Sequence, residues 1–143
     1  MKAYIDEFTA IAALLPSAPA FYHESVQMQN IKADNLTAAY LFAPALGIGK
    51  YKKEGGGFRP TIKVIIEFLK LTEFENDLTQ NQAIIESMED LAVDFMQRMN
   101  QSTVLSHPDE YETSYVYERF DANFAGIALT FDCSLKRPLT SCV

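Results

Sequence analysis

The sequence predicts an α+β domain: an antiparallel or mixed sheet of about four to five strands packed on one long helix, with a short N-terminal helix. Three observations carry this. Thr61–Leu71 alternates apolar and polar residues at period two, Ile84 to Met99 recur at helical spacing, and Phe124–Leu135 alternates again after a short turn. The strand and helix centred on Phe58–Asn100 therefore supply the middle of the core.

The chain has 143 residues, the length of one domain, and a chain of that size buries a self-sufficient core. Hydrophobic residues at 48% and charged residues at 22% are ordinary globular values. Twelve Lys+Arg against nineteen Asp+Glu give a net charge of −7. That balance argues against general nucleic-acid binding, which wants a basic face on the phosphate backbone. Asp6 and Glu7 interrupt the apolar run that a signal peptide needs, and no stretch reaches a membrane-spanning length.

Taken in order, residues 2–15 form a helix with Tyr4, Phe8, Ile11 or Ala12, and Leu15 on one face, stopped by Pro16. Ser17–Ala20 is a connector, Phe21–Met28 a short strand or extended edge segment, and residues 30–36 a turn. Thr37–Ala43 is a strand closed by Pro44. Gly47–Pro60 reads as a long hairpin loop, holding three consecutive glycines and the cations Lys50, Lys52, Lys53 and Arg59. In the strand Thr61–Leu71, Ile62, Val64, Ile66 and Phe68 form the core face. Ile65 and Leu69 make the other face half apolar, which hints at a partner surface.

Glu73–Leu78 turns into the helix Thr79–Asn100, opened by a capping box from Thr79 to Gln82. Its stripe is Ile84, Met88, Leu91, Phe95 and Met99, widened by Ile85, Ala92 and Met96. A polar segment at Gln101–Pro108 precedes the strands Tyr111–Phe120 and Phe124–Leu135, joined at Asp121–Asn123. Gly126 marks a bulge or a close backbone approach. The tail Lys136–Val143 is expected to fray.

No spacing for a catalyst emerges. The glycine loop lacks the P-loop pattern, since Pro44 stands at the first glycine's place and Tyr51 follows Gly49-Lys50. It is either a flexible hairpin tip or a contact arm that orders in an assembly. His23 and His107 lie in separate segments with no carboxylate or thiolate in register, and Gly-x-Ser-x-Gly is absent. Cys133, in phase with Leu129 and Phe131, is a small buried hydrophobe, and Cys142 is expected to be free as well. Neither a cofactor nor a metal is expected.

Glu86, Asp90 and Asp94 share a helix face at four-residue spacing. Like charges there cost a few tenths of a kcal/mol per pair. They form either a solvated face or a surface that meets a basic one, such as the Lys50–Arg59 loop of a neighbouring copy. Tyr111, Tyr115 and Tyr117 lie on one strand face and serve either core packing or subunit contact. The candidate contacts are thus Lys50, Lys52, Lys53, Arg59, Ile65, Leu69, Glu86, Asp90, Asp94, Tyr115 and Tyr117.

The layout of helix, strand, long-loop hairpin, long helix and closing hairpin resembles the tail-terminator (tail-completion) proteins of long-tailed phages and prophages. The matching stretches are Leu41-Phe42-Ala43-Pro44 leading into the loop, Ile62–Leu71 running into the Thr79 helix, and Asn123 to Phe131 with its glycine before alternating apolar residues. The resemblance covers about residues 1–135; it assigns no family role to the glycine-rich loop or to the Cys-containing tail. It implies a non-enzymatic protein forming a homo-oligomeric ring, usually a hexamer, that joins tail tube to head. Its partners would be other tail or head-completion proteins, with no membrane and no specific nucleic acid. It would sit in the host cytoplasm during assembly and then in the virion. An acidic ring suits a lumen through which DNA slides. The alternative is a cytoplasmic small-molecule-binding or enzymatic α+β domain with its pocket between helix and sheet.

Overall fold

A computed structural model describes residues 2–23, 39–43, 49–71, 78–119 and 124–136. Among them run helix α1 (Lys2–Leu14), strands β1 (Ala20–His23), β2 (Tyr40–Ala43), β3 (Gly49–Glu54) and β4 (Gly57–Leu71), helix α2 (Leu78–Asn100), and strands β5 (Glu112–Arg119) and β6 (Phe124–Ser134). The fold is α+β with a mixed six-stranded sheet in the order β1-β2-β4-β6-β5, and β3 also pairs with β4. Five of the strand pairings can be followed in register: β1 runs parallel to β2, and the rest are antiparallel.

The expectation of four to five strands is corrected to six. The extra strand lies in the stretch expected to be a long loop: β3 and β4 form a tight hairpin whose turn is Gly55-Gly56 between the paired Glu54 and Gly57. Gly55 has φ 61° while Gly56 is not left-handed. A positive φ at the first central position alone is the pattern of a type II′ turn, whose twist matches the flanking strands. Polar side chains and glycines hid the strand from a hydrophobic-period reading. Pro60 lies before β4 meets β6 at Thr61, where a missing N–H leaves no gap in that ladder.

Fifteen-residue β4 is the spine. On one side it pairs with all of β6, from Thr61 to Leu71. Along its other side it takes β3 at its first half and β2 at its second, from Gly49 opposite Ile62 to Phe42 opposite Glu67.

Both described helices cover one sheet face. The predicted α1 stripe of Tyr4, Phe8, Ile11, Ala12 and Leu15 is buried, as are Ile85, Met88, Leu91, Ala92, Phe95 and Met99 of α2. They meet Leu41, the row Ile62, Val64, Ile66 and Phe68, and the row Ile127, Leu129, Phe131 and Cys133. Phe8 is the hub, its ring 6.0 Å from Phe21, 6.1 Å from Phe95 and 6.2 Å from Phe131. Phe95 in turn stands edge-on to Phe68 at 5.5 Å. Aromatic pairs in this range add about 0.5–1.5 kcal/mol beyond area burial.

The opposite face carries a second buried cluster that the sequence reading left half open: Tyr40, Phe42, Leu69 and Phe124. Tyr40 stands edge-on to Phe124 at 5.2 Å and to Tyr22 at 5.7 Å. Glu67 is buried on this face too. Gly126 has the close backbone approach expected of it, since a Cβ there would run into the Phe68 carbonyl. The bulge lies on the neighbouring strand instead: β5 spends Val116 to Arg119 against Gly126 to Phe124.

The segment after α2 is more ordered than its polarity suggests. Ser102 is buried and its Oγ accepts the N–H groups of Val104 (3.2 Å) and Leu105 (3.0 Å) while donating to Glu7 Oε1 (3.0 Å). Leu105 then bridges Leu135, the Ser106 N–H reaches the Ser134 carbonyl (2.8 Å), and Lys136 donates to Val104 O (2.9 Å). Lys136 is therefore held, against the expected fray from that residue onward; residues 137–143 lie outside the described set, as do the expected turns at 30–36 and 121–123. Helix α2 starts at Leu78, which places Thr79 inside the first turn rather than at the cap. The Thr79 side chain is outside the described set.

Candidate functional site

The feature with the least explanation in packing is the β3–β4 ribbon. Before Thr61, β4 has only β3 beside it among the described strands. Strand alternation then sorts the ribbon into two faces. Tyr51, Lys53 and Phe58 fall on the face that carries the helices, with Tyr51 opposite Pro60 and Lys53 opposite Phe58. Lys50 and Lys52, opposite Thr61 and Arg59, fall on the other. Tyr51 is 70% exposed and Phe58 52%, while Lys50, Lys52 and Lys53 are also exposed. An aromatic side and a cationic side on one exposed hairpin is a surface built for contact rather than for the core.

The ribbon is tied down at its base. The buried Tyr4 hydroxyl donates to Pro60 O at 2.8 Å, and Arg59 Nη2 donates to Lys136 O at 3.1 Å. Arg59 is half-buried and so belongs to the anchor rather than the contact row. Burial pushes the Tyr4 phenol up to about 12, with the nearby Cys133 adding to the shift.

The other predicted contact residues separate. Glu86 and Asp90 are exposed on α2 and Asp94 is half-buried. Lys70 lines the same shallow depression as Asp90 and Asp94, so part of that acidic face has a cation of its own chain beside it. Ile65 is 37% exposed, whereas Leu69 is fully buried in the second cluster and offers nothing to a partner. Leu69 is thus corrected from contact candidate to core: its neighbours Tyr40, Phe42 and Phe124 close over it. Tyr115 is 62% exposed on the outer strand β5, on the face of Ile127. Tyr117 lies on β5 too, with its side chain outside the described set.

Tyr111, grouped with these, turns inward. Its ring lies 5.0 Å from Phe131, and its hydroxyl is buried with no hydrogen-bond partner among the described residues. Burial raises its pKa above the ordinary phenol value, with Cys133 adding to it. Cys133 is a free, buried thiol, pushed up to about 12 by burial alone, which keeps it a protonated, unreactive hydrophobe. Cys142 lies outside the described residues.

The histidines stay apart. His23 Nδ1 donates to the Ala43 carbonyl at 3.0 Å across the parallel pair, a structural role. His107 is exposed and lines an open trough of about 520 Å³ between 106–112 and the faces of β4 and β6. Asp109, Glu110, Glu112 and Asp132 line that trough, with Lys63 opposite Asp132 in register. Sequence spacing could not find it, because β4, β6 and the 106–112 segment meet only through sheet order. Among the described residues no three His, Cys, Asp or Glu side chains converge to hold a metal ion, and no helix is long and apolar enough to cross a membrane. The centre of the space between α2 and the sheet is filled by Phe8, Phe68, Phe95 and Phe131, and at its margin Ala39 and Lys70 meet Met88 and Leu91 in the depression that Asp90 and Asp94 share. Compared with known proteins, the chain matches no family model and no curated relative.

Proposed function

We propose that the chain is a non-enzymatic structural protein that works by self-assembly, as phage tail terminators do, forming a ring at a head–tail junction. The observation that carries this is the β3–β4 ribbon, which holds Tyr51 and Phe58 exposed on one side and Lys50 and Lys52 exposed on the other. Exposing large aromatic area in water is unfavourable at about 25 cal/mol per Å², and association recovers it. Tyrosine and phenylalanine are enriched where protein surfaces meet. The layout supports the same reading: strand β4 leads into helix α2, and a β5–β6 hairpin closes the fold. The acidic balance of −7 suits a ring that must not grip the phosphates passing through it. On this reading the partners are further copies of the chain and other tail or head-completion proteins, met first in the host cytoplasm and then in the virion.

Sedimentation velocity over a wide concentration range, with negative-stain electron microscopy of the largest species, tests the reading. The expected result is a closed, ring-shaped homo-oligomer. A sedimentation coefficient of a monomer at every concentration and at low salt would overturn it.

A further inference from the structure

We infer that the cationic side of the β3–β4 ribbon docks into the acidic trough of a second copy of this chain. The inference rests on the assembly reading above and names the surfaces it would use. Lys50 and Lys52 are exposed on the sheet face opposite the helices. The trough opens on the same face, because Lys63, Asp132 and Glu112 all point there by register. A trough of about 520 Å³ lined by Asp109, Glu110, Glu112 and Asp132 is concave, so a two-stranded ribbon can seat in it.

Charge decides the occupant. Of twelve Lys+Arg, four lie on the ribbon (Lys50, Lys52, Lys53 and Arg59) beside one acid, Glu54, so the remaining eight face eighteen acids elsewhere in the chain. Such a body repels a polyanion and attracts the ribbon of another copy. Helix α2 is the weaker landing place: the depression there sets two carboxylates, Asp90 and Asp94, against Lys70, where the trough sets four against Lys63. Among the described residues that line the trough, Lys63 is the one Lys or Arg beside four carboxylates. Lys50 stands opposite Thr61, which lines the trough, so the two surfaces are neighbours on one sheet face; the lysine row of one copy against the carboxylates of the next is still a heterologous contact, which forms a ring when its rotation closes.

The test uses the full chain with two charge-reversal variants, K50E/K52E on the ribbon and E110K/E112K in the trough. All four positions are exposed, so circular dichroism and Tm should match wild type; the neutral K50Q/K52Q variant covers the case in which reversal disturbs folding. Wild type is expected to self-associate at low salt and to weaken at high salt, as the Debye length drops from about 10 Å at 0.1 M to about 3 Å at 1 M. Each reversed variant is expected to self-associate at least about tenfold more weakly. An equimolar mixture of the two should reassemble, since each junction again joins opposite charges.

A wild-type monomer under all conditions sinks the assembly reading itself. Wild-type assembly that survives both reversals overturns the ribbon–trough contact and leaves assembly standing. Loss in the ribbon variant alone overturns the trough as its partner. Binding of short duplex DNA through Lys50 and Lys52, in place of self-association, overturns the choice of a second copy.

Discussion

Replacing Gly126 with alanine is the sharpest probe of how the two central strands approach each other. Gly126 sits on β6 between Leu69 of β4 and Val116 of β5. An added Cβ would lie 2.9 Å from the carbonyl carbon of Phe68 and 3.3 Å from the Leu69 Cα, with the Phe68 oxygen nearer still. Backbone in the middle of a sheet cannot swing aside as the end of a side chain can, so β4 and β6 must part locally. Overpacking of this kind costs about 1–3 kcal/mol, and each weakened ladder hydrogen bond adds about 1 kcal/mol. Against this, alanine gains roughly 0.4–1 kcal/mol by restricting the unfolded chain. The net expectation is a loss of about 2–3 kcal/mol, or about 5–12 °C in Tm for a domain of this size. Gly56→Ala is the control: a Cβ there meets nothing within 4 Å and the residue is not left-handed, so Tm should stay within about 2 °C. The assay is thermal unfolding followed by circular dichroism, with urea denaturation for the free energy. A Gly126→Ala protein as stable as the Gly56→Ala protein would refute the close approach.

Two further outcomes follow from buried polar groups. Ser102→Ala should cost about 1–3 kcal/mol, because the N–H groups of Val104 and Leu105 lose their acceptor; urea denaturation reads the loss, and a double-mutant cycle with Glu7→Gln should show coupling between the two side chains. Stability should also decline at high pH. Folded Cys133 and Tyr4 hold their protons to about 12, from ordinary values of 9.0 and 10.0, and Tyr111 is raised as well. Between about pH 9 and 12 the unfolded chain releases protons that the folded one keeps, so the contribution present below pH 9 is lost as pH rises. Tyrosinate absorbance and thiol modification should therefore appear together with unfolding; free titration of Cys133 in the folded protein near pH 9 would contradict the burial.

The sequence by itself determined the α+β class, the α1 and α2 stripes, and the core rows of β4 and β6. Those are local periodicities, and a residue such as Phe95 or Ile127 declares its face by its neighbours three or two positions away. It also placed the cations of the ribbon and singled out Gly126. Only the tertiary structure decided the rest. Lys50–Glu54 became a strand because β4 offers it an edge and Gly55 can turn back, not because its own side chains alternate in hydrophobicity. Ser17 and Ala18 adopt left-handed φ values of 64° and 43° between α1 and β1, a conformation that neither residue favours on its own. Leu69 moved from surface to core because Tyr40 and Phe42 of β2 and Phe124 of β6 arrive from two other parts of the chain. The trough is invisible at sequence distance, since Lys63, Asp109 and Asp132 meet only when β4 and β6 pair and the 106–112 segment folds back beside them. Periodicity tells a side chain which way to face; only strand order tells it what it will meet.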